Sequence, residues 1–464
     1  MENSTKPKAR YSVMRIWKVF AIPLLVIGTL FSIFQVGFAL REWQGRRMLS
    51  QAIEDLQRKG IPTNSAEVEL AYQTATSDAD TEAWLDLFGK MKSPEFIEAT
   101  QGVPLFDSSI VQEDWEDIFD TSKDWKYAPA SIRMVDLQRE RIEQIRQLAA
   151  NPQPVRFPIR FEAIDTLLPE VQDSRGLARL IWLDAQVAIH LGESQRAYDD
   201  FVTLHHLVRH VEAVPFSLCF LVTTSFKSMA LSIVQKGLEQ DLFTDAQLEA
   251  MDQILLENCE IGDEWRLSCD RDMGMFIPAF LEPSLASKKK IKAMPSRGHD
   301  GVYYIELMTR LSQIPTHDWV VFYTKAREED ARNKKEILSV RGMIDLMLTS
   351  VFAPSIQLTA EFNIDRAQRY RQARQGVAIR LFQHKHGKLP ESLSELPAVD
   401  PYMRAFRQQP FGYRLTPNGA TLWGGKFDHK YKEIPLAIPS LDAQTSESID
   451  NLKYVWNLEI KKQE

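Results

Sequence analysis

The chain has 464 residues, a net charge of −7, and 26% charged against 44% hydrophobic residues. This length allows two or three domains, and the acidic balance argues against a general nucleic-acid-binding role, which needs a basic face. The three cysteines, Cys219, Cys259 and Cys269, are too few for a disulfide framework. We expect three buried thiols, and a Cys259–Cys269 bond in an oxidising compartment is the alternative.

An uncharged run of 22 residues, 19–40, predicts a transmembrane helix. At 1.5 Å per residue the run is long enough to cross a hydrocarbon core of about 30 Å. Trp17 and Trp43 flank it, as aromatic residues do at membrane interfaces. A cleaved signal peptide is the alternative, because Gly37 and Ala39 form a small-x-small site.

The charges on either side of this run predict its orientation. Five cations precede residues 19–40, and three follow closely after them. This bias favours an N-terminus in the cytoplasm and the bulk of the chain outside it. We therefore expect a single-pass protein of the inner cell membrane with a periplasmic body, in contact with the lipid bilayer.

The membrane-proximal region is predicted to be helical but irregular. Residues 41–60 continue the helix as a polar segment that Gly60-Ile61-Pro62 ends, and residues 61–130 mix short helices with loops. Acidic and aromatic residues alternate over residues 113–120. A solvated helix with Trp115 and Phe119 turned inward explains this stretch, and a partner-binding face or a calcium-attracting patch is the alternative.

Helical periodicity becomes clear after Pro129, where one helix is predicted to carry Ile132, Val135, Leu137, Ile142 and Ile145.

An antiparallel helix pair is predicted next, over residues 177–211. Gly192-Glu193 is the predicted turn, and Ser194 is the predicted N-cap of the second helix. The pair resembles one tetratricopeptide repeat through Ala185, Gly192 and Ala197, although later consensus positions are missing. The apolar stripes consist of Leu177, Leu180, Ile181, Ala185, Ala188, Ile189, Phe201, Leu204, Val208 and Val211.

A second helix pair is predicted directly afterwards. Residues 215–238 are very apolar, which indicates a helix buried on all sides, and Thr244 with Gln247 forms a capping box for the next helix. Successive helix pairs are typical of a solenoid-like stack. Residues 282–299 predict a basic loop, helices follow over about 301–312 and 318–337, and residues 342–358 are predicted to be core.

The C-terminal part predicts a long helix and a small β-containing module. The helix runs from Phe362 to His386 and ends at Gly387. Two short apolar runs around Pro417-Asn418-Gly419 predict a β-hairpin in which Gly419 takes a positive φ. We expect Phe411, Tyr413 and Trp423 to cover the helix.

This tail resembles the tail of a major pseudopilin of type II secretion, as found on single-span bacterial membrane proteins with helical bodies. The resemblance implies a shared small fold that acts as a docking module, without prepilin processing. Asp428 is followed by His429 and Lys430, which argues against a calcium site. The matching residues are Gly387-Lys388-Leu389-Pro390, Asp400-Pro401-Tyr402, Pro410-Phe411-Gly412-Tyr413, Gly424-Gly425 and Asp428.

Histidines and a cysteine cluster are the candidates for chemistry. His206 and His210, next to His205, have the i, i+4 spacing of metal-binding helices, but no Glu follows the first His as in metalloproteases. We favour the interpretation that these histidines form a pair without metal, and a metal site is the alternative. Residues 269–272 combine Cys269 with carboxylates, but no nucleophile-elbow, dinucleotide or P-loop motif occurs in the chain, so surface ion pairs are the simpler interpretation.

A set of basic residues marks the C-terminal helix. Its five arginines predict an exposed basic side, and contact with an acidic partner or anionic lipid is the alternative function. His384 and His386 stand at the helix end, where cations suit the helix dipole. The arginines are Arg366, Arg369, Arg371, Arg374 and Arg380.

These patterns predict a mainly α protein with an N-terminal transmembrane helix, a solenoid-like body of helical hairpins and a small C-terminal α+β module. The predicted segments are a cytoplasmic tail (1–18), the transmembrane helix (19–40), a membrane-proximal region (41–130), a helical body (131–361) and the C-terminal module (362–464). We expect a scaffold that contacts an envelope protein, with no cofactor, catalytic residue or identifiable small-molecule ligand. A membrane-anchored hydrolase or metal-dependent enzyme is the alternative.

Overall fold

The computed structural model describes residues 10–107, 110, 125–162, 166–281, 297–353, 355–396, 411–424 and 455–459. These residues are mainly helical, with one small antiparallel sheet. The expectations for residues 113–120 and 400–402, for Asp428 and for most of the basic loop lie outside the described residues. The helices are α1 (Arg10–Arg58), α2 (Ser65–Ala75), α3 (Thr81–Lys90), α4 (Pro94–Ala99), α5 (Ala128–Leu137), α6 (Arg139–Ala149), α7 (Pro169–Leu191), α8 (Ser194–Glu212), α9 (Ser217–Glu239), α10 (Asp245–Glu257), α11 (Glu264–Leu281), α12 (Arg297–Ser312), α13 (Trp319–Ile337), α14 (Val340–Asp345), α15 (Met347–Phe352) and α16 (Ile356–His386).

Helix α1 is long and apolar enough to span a membrane. Its side chains from Leu24 to Leu40 are exposed, whereas Leu49 and Leu56 further along are buried against the body. The helix ends at Arg58 and Gly60 takes a positive φ, as the Gly60-Ile61-Pro62 signal predicts. Helix α9 is also long and apolar enough to span, but more than half of it is buried inside the body.

The body has two hydrophobic cores, and α16 contributes to both. The larger core is built mainly from α3 and α5 to α10, and α16 supplies Tyr370 and Val377 to it. The smaller core joins the second half of α1 to α11, α12 and α13, and α16 supplies Ile364 and Ala367. A 31-residue helix can reach both because it is about 46 Å long.

The predicted pair α7–α8 is confirmed. Leu180, Ile181 and Leu204 are fully buried, and Gly192 adopts the left-handed conformation between the helices. The N-cap prediction for Ser194 is wrong: Glu193 occupies that position without a side-chain cap, and Ser194 is the first helical residue.

Two other predictions about the body need correction. The single helix predicted after Pro129 is two helices, α5 and α6, which meet at Gln138, and Leu137 is exposed at this break. The capping box of Thr244 and Gln247 is present, but α10 packs mainly against α16 and not against α9. The solenoid-like stack is therefore not confirmed.

Residues 342–358 are not simply core. They fall into α14, α15 and the start of α16, and several of their large apolar side chains are exposed, including Met343, Met347 and Val351. The predicted basic loop also ends earlier, because α12 begins at Arg297.

The C-terminal sheet has the order β1 (Gly412–Thr416), β2 (Gly419–Trp423), β3 (Val455–Glu459), with antiparallel pairs. The hairpin turn at Pro417-Asn418 is as predicted, but Gly419 pairs with Thr416 as a strand residue and has no positive φ. Phe411 and Trp423 are buried as expected.

Strand β3, which the sequence patterns did not predict, supplies Trp456. A Cβ on Gly376 of α16 would lie 3.0 Å from the Trp456 ring, so this glycine allows close packing of the sheet on the helix.

Candidate functional site

Two of the three histidines of α8, His205 and His210, form hydrogen bonds within the protein. His210 is buried; its Nδ1 accepts a hydrogen bond from the Val155 N–H at 3.1 Å, and its Nε2 lies 3.1 Å from the Ala149 carbonyl oxygen. Burial lowers the pKa of both His206 and His210, so the neutral rings are favoured. His210 fixes the loop after α6 with both of its ring nitrogens and would have to break these bonds to bind a metal ion.

His205 faces α16. Its Nδ1 lies 2.9 Å from the Phe201 carbonyl oxygen, and its Nε2 lies 2.9 Å from the Tyr370 hydroxyl. Burial lowers the pKa of His205 to about 4. The ring can therefore donate to Phe201 and accept from Tyr370, which ties α8 to α16.

The Cys269 cluster, residues 269–272, is part of helix α11. Cys269 and Asp272 are buried, and Asp272 accepts a hydrogen bond from the Ser217 N–H at 3.1 Å. Burial raises the pKa of the Cys269 thiol well above its usual range and that of Asp272 to about 6. Because the thiolate is the nucleophilic form, this environment does not activate Cys269. Cys219, Cys259 and Cys269 are all free and buried.

The arginines of α16 contradict the prediction of an exposed basic side. Arg366, Arg371, Arg374 and Arg380 are buried, and Arg369 is half-buried with an Nη1 that donates to Ser228 at 3.3 Å. Arginine tolerates burial where carboxylates or carbonyl groups receive its five N–H donors. The structure supplies such groups at three levels of the helix.

Each level joins α16 to a different neighbour. Arg374 forms two hydrogen bonds with Asp252 of α10, at 2.7 and 2.9 Å. Arg371 pairs with Glu260 at 2.6 Å and lies over the Trp319 ring. Arg380 donates to the carbonyl oxygens at the C-terminal end of α9, at 2.8 Å for the closer one, where a cation suits the helix dipole. His384 lies between Asp241 and Asp245 in the same region.

A buried polar cluster joins four helices near Arg366. Lys227 of α9 lies 2.8 Å from Glu212 of α8 and 3.8 Å from Glu264 of α11, and Arg366 lies 3.8 Å from Glu264. Two cations and two carboxylates balance in charge. Within the described part of the chain, Nε and Nη2 of Arg366 have no hydrogen-bond partner. The pairing explains how four charges are tolerated between these helices.

An open pocket of about 330 Å³ lies between α3, α4 and α7. Met91, Phe96 and Phe106 give it apolar walls, and Lys92, Arg175 and Arg179 give it cationic groups. We call this surface the Arg179 groove. Arg175 and Arg179 lie on the same face of α7 because residues four apart are neighbours on a helix.

The Arg179 groove has an excess of positive charge. Among the described residues that line it, Asp173 is the one carboxylate, and Lys92 already pairs with it at 2.6 Å. Burial and the neighbouring Arg175 lower the pKa of Arg179, and among the described residues no carboxylate forms an ion pair with it. A half-buried guanidinium beside aromatic walls can bind a carboxylate and an apolar side chain together.

Among known proteins, no family model, no curated protein and no solved structure matches this chain. Among the described residues, no group of three or more His, Cys, Asp or Glu side chains is placed to hold a metal ion.

The sequence patterns did not single out the Arg179 groove. Its walls come from residues 91–106 and its cations largely from α7, and nothing in the sequence indicates that these segments meet. The basic i, i+4 pair of Arg175 and Arg179, at the start of a strongly apolar helix, is the signal that could have drawn attention to it.

Proposed function

We propose that this protein is a single-pass, membrane-anchored helical scaffold that binds an envelope protein through the Arg179 groove. The observation that carries the proposal is the half-buried Arg179 guanidinium, which pairs with no carboxylate of the described residues and lies in an open pocket with aromatic walls. Such a group is costly to leave without a counter-ion, and an acidic partner would supply one.

The groove also indicates the chemistry of the partner. Two cations four residues apart fit a segment with one or two carboxylates, and Phe96 with Phe106 fits an apolar side chain beside them. The partner would therefore present an acidic segment that includes an aromatic or aliphatic residue. Charge pairs of this kind affect mainly specificity and association rate.

Anchoring by α1 is the second part of the proposal. The exposed apolar segment of α1 and the five-to-three bias of cations support a cytoplasmic N-terminus and a periplasmic body in the inner membrane. A reporter that is active only in the cytoplasm, fused after Glu464, is expected to stay silent. Strong activity of this reporter would contradict the orientation.

The C-terminal module fits the same proposal as a docking unit similar to a pseudopilin tail. Its sheet packs on α16 through Trp456 and lies at the end of α9, where the Asn457 N–H donates to Glu239 at 3.4 Å. The enzyme alternative has less support, because His210 is engaged by backbone groups and the Cys269 thiol is buried in its protonated form.

The test measures binding of a defined acidic probe to the full-length protein in detergent. The probe is a fluorescent peptide of alternating Glu and Phe, compared for wild type and Arg179→Glu by anisotropy. Arg179→Glu replaces attraction to the peptide carboxylates with repulsion, so we expect the variant to bind at least about tenfold more weakly, which corresponds to about 1.4 kcal/mol.

Arg160→Glu is the matched control, because Arg160 is exposed and lies outside the groove. It makes the same change in net charge, and we expect it to bind the peptide like wild type. Equal binding by wild type and Arg179→Glu would refute the groove as the binding surface. Equal losses in both variants would show that only net charge matters, which would also refute it.

A further inference from the structure

The short helices α14 and α15 expose an apolar face. Val340 and Met343 of α14 are three residues apart, and Met347 and Val351 of α15 are four apart, so each short helix carries its exposed apolar pair on one side. Val340 is 76% and Val351 is 73% exposed, and Leu338 just before α14 is 75% exposed. Three such residues within 14 positions are an unusual concentration of exposed apolar area. We call this surface the 338–351 face.

The opposite side of these helices is fixed to the body, so the apolar face cannot turn inward. The N–H groups of Leu348 and Thr349, at the start of α15, donate to the carboxylate of Asp300 on α12, at 2.8 and 3.1 Å. The Thr349 hydroxyl donates to the same carboxylate at 2.6 Å. Leu348 and Thr349 are buried. The exposure of the 338–351 face is therefore built into the fold.

An ion pair places the 338–351 face beside the end of the uncharged run of α1. Arg41 follows directly after Leu40, the last residue of the uncharged run, and its guanidinium pairs with the buried carboxylate of Asp345 in α14. Trp43, which is exposed, stands half a turn further along α1. When residues 19–40 span the hydrocarbon core, Arg41 lies in the headgroup layer, and α14 lies beside it.

Basic side chains border the same face. Lys334 and Lys335 at the end of α13 and Arg341 in α14 are exposed. Lys334 also pairs with Asp330 at 2.6 Å and Arg341 with Asp345 at 3.4 Å, and all three cations remain open to solvent, where an anionic membrane surface attracts basic groups. A combination of apolar residues inserted at the boundary and cations around them is typical of helices that lie in a membrane interface.

We propose that the 338–351 face inserts into the headgroup layer of the bilayer that α1 crosses. The proposal rests on the proposed anchoring by α1. A lipid surface is the occupant that the structure favours, because Arg41 and Asp345 join the face to the membrane end of the anchor. The body then contacts the membrane at two places, which fixes its tilt relative to the bilayer.

The test uses depth-dependent quenching on the full-length protein in liposomes that contain anionic lipid. A single cysteine is introduced by Val351→Cys and labelled with an environment-sensitive fluorophore; the native thiols are buried and the unmodified chain measures their background labelling. Leu30→Cys in α1 reports on anchoring. Leu137→Cys is the matched control, since Leu137 is an exposed leucine at the end of α5, a helix whose other side packs in the larger core.

We expect insertion of the Val351 label by about 5–10 Å. Nitroxide lipids with a shallow spin label should therefore quench it, and aqueous iodide should quench it at least about threefold less than the Leu137 label. The Leu30 label should be quenched by the deep nitroxide. Met343→Glu should weaken lipid quenching at Val351 and leave the Leu30 signal unchanged.

The outcomes separate the two proposals. If the Leu30 label is not quenched by lipid, the anchoring itself is wrong. If Leu30 is quenched but Val351 is as open to iodide as Leu137, the anchoring stands and the interfacial face is refuted. Protection of Val351 from both iodide and lipid nitroxides would show that a second copy or another protein covers the face, which also overturns the proposal.

Discussion

The junction between α1 and the body depends on glycines, and Gly298→Ala tests it. A Cβ on Gly298 would lie 2.3 Å from the carbonyl carbon of Gly45 and 2.4 Å from the Arg46 nitrogen. These are backbone atoms of the neighbouring helix, so they cannot rotate away. The two helices must move apart by about 1 Å to restore ordinary contact, and a gap of that size forfeits a quarter to a half of the dispersion energy across it.

The expected cost follows from this separation. Overpacking of a closely packed interface costs about 1–3 kcal/mol, and Leu49, which packs against Gly301 in the same contact, would lose part of its burial. Because the protein has two hydrophobic cores, a single melting temperature is a poor measure of the stability of one junction. Amide hydrogen exchange, read separately for residues 41–58 and 297–312, reports on this junction.

We expect exchange in both segments to accelerate by about 5- to 150-fold in Gly298→Ala, the range that 1–3 kcal/mol of local stability implies. Gly89→Ala is the matched control: Gly89 is exposed in helix α3, and a Cβ there meets nothing within 4 Å. In Gly89→Ala, amide exchange of residues 41–58 and 297–312 should equal that of wild type, and exchange in α3 should be equal or slower, since alanine favours helices. Unchanged exchange in Gly298→Ala would refute the close approach of α1 and α12.

Three further predictions concern the body. Leu204→Ala should lower the local stability of the α7–α8 pair by about 2–5 kcal/mol because Leu204 is fully buried between these helices; unchanged amide hydrogen exchange in α7 and α8 would contradict that packing. The pKa of His205 is about 4 in the fold and about 6.5 in the unfolded chain, so the unfolded state binds more protons between these values. The free energy of unfolding should therefore fall by about 1–3 kcal/mol as the pH drops from 6.5 to 4. In urea titrations at these two pH values, His205→Gln should show a smaller fall than wild type. Native protein should take up no maleimide on Cys219, Cys259 or Cys269 until it unfolds, and rapid labelling detected by mass spectrometry would contradict their burial.

Local patterns were sufficient to predict several helices of the body and some of their ends. The α7–α8 pair has clear apolar stripes, and its turn is at a glycine in the left-handed conformation, which needs no distant information. The capping box of Thr244 and Gln247 is likewise contained within four residues. The stacking of the pairs could not be predicted in the same way, because it depends on α16, which follows about a hundred residues later.

The arginines of α16 show why polarity alone misled the prediction. Five arginines on one helix normally indicate a solvated face, yet Asp252, Glu260 and the carbonyl groups at the end of α9 receive them inside the body. These groups lie more than 100 residues away in the sequence, and Asp252 and Glu260 have no feature that distinguishes them from surface carboxylates. The Arg179 groove was missed for the same reason, since its walls and cations belong to separate segments.

The position of α16 has a consequence for the proposed scaffold. One helix contributes to both cores: its first half packs with the elements that hold α1, and its second half supports the C-terminal sheet. Buried charge pairs are specific in geometry but contribute little net stability, because desolvation offsets much of the attraction between the charges. The arginines of α16 therefore act mainly to fix its neighbours in one arrangement. A body fixed in this way would transmit the tilt of α1 to the Arg179 groove, so that anchoring determines how the groove is presented to a partner.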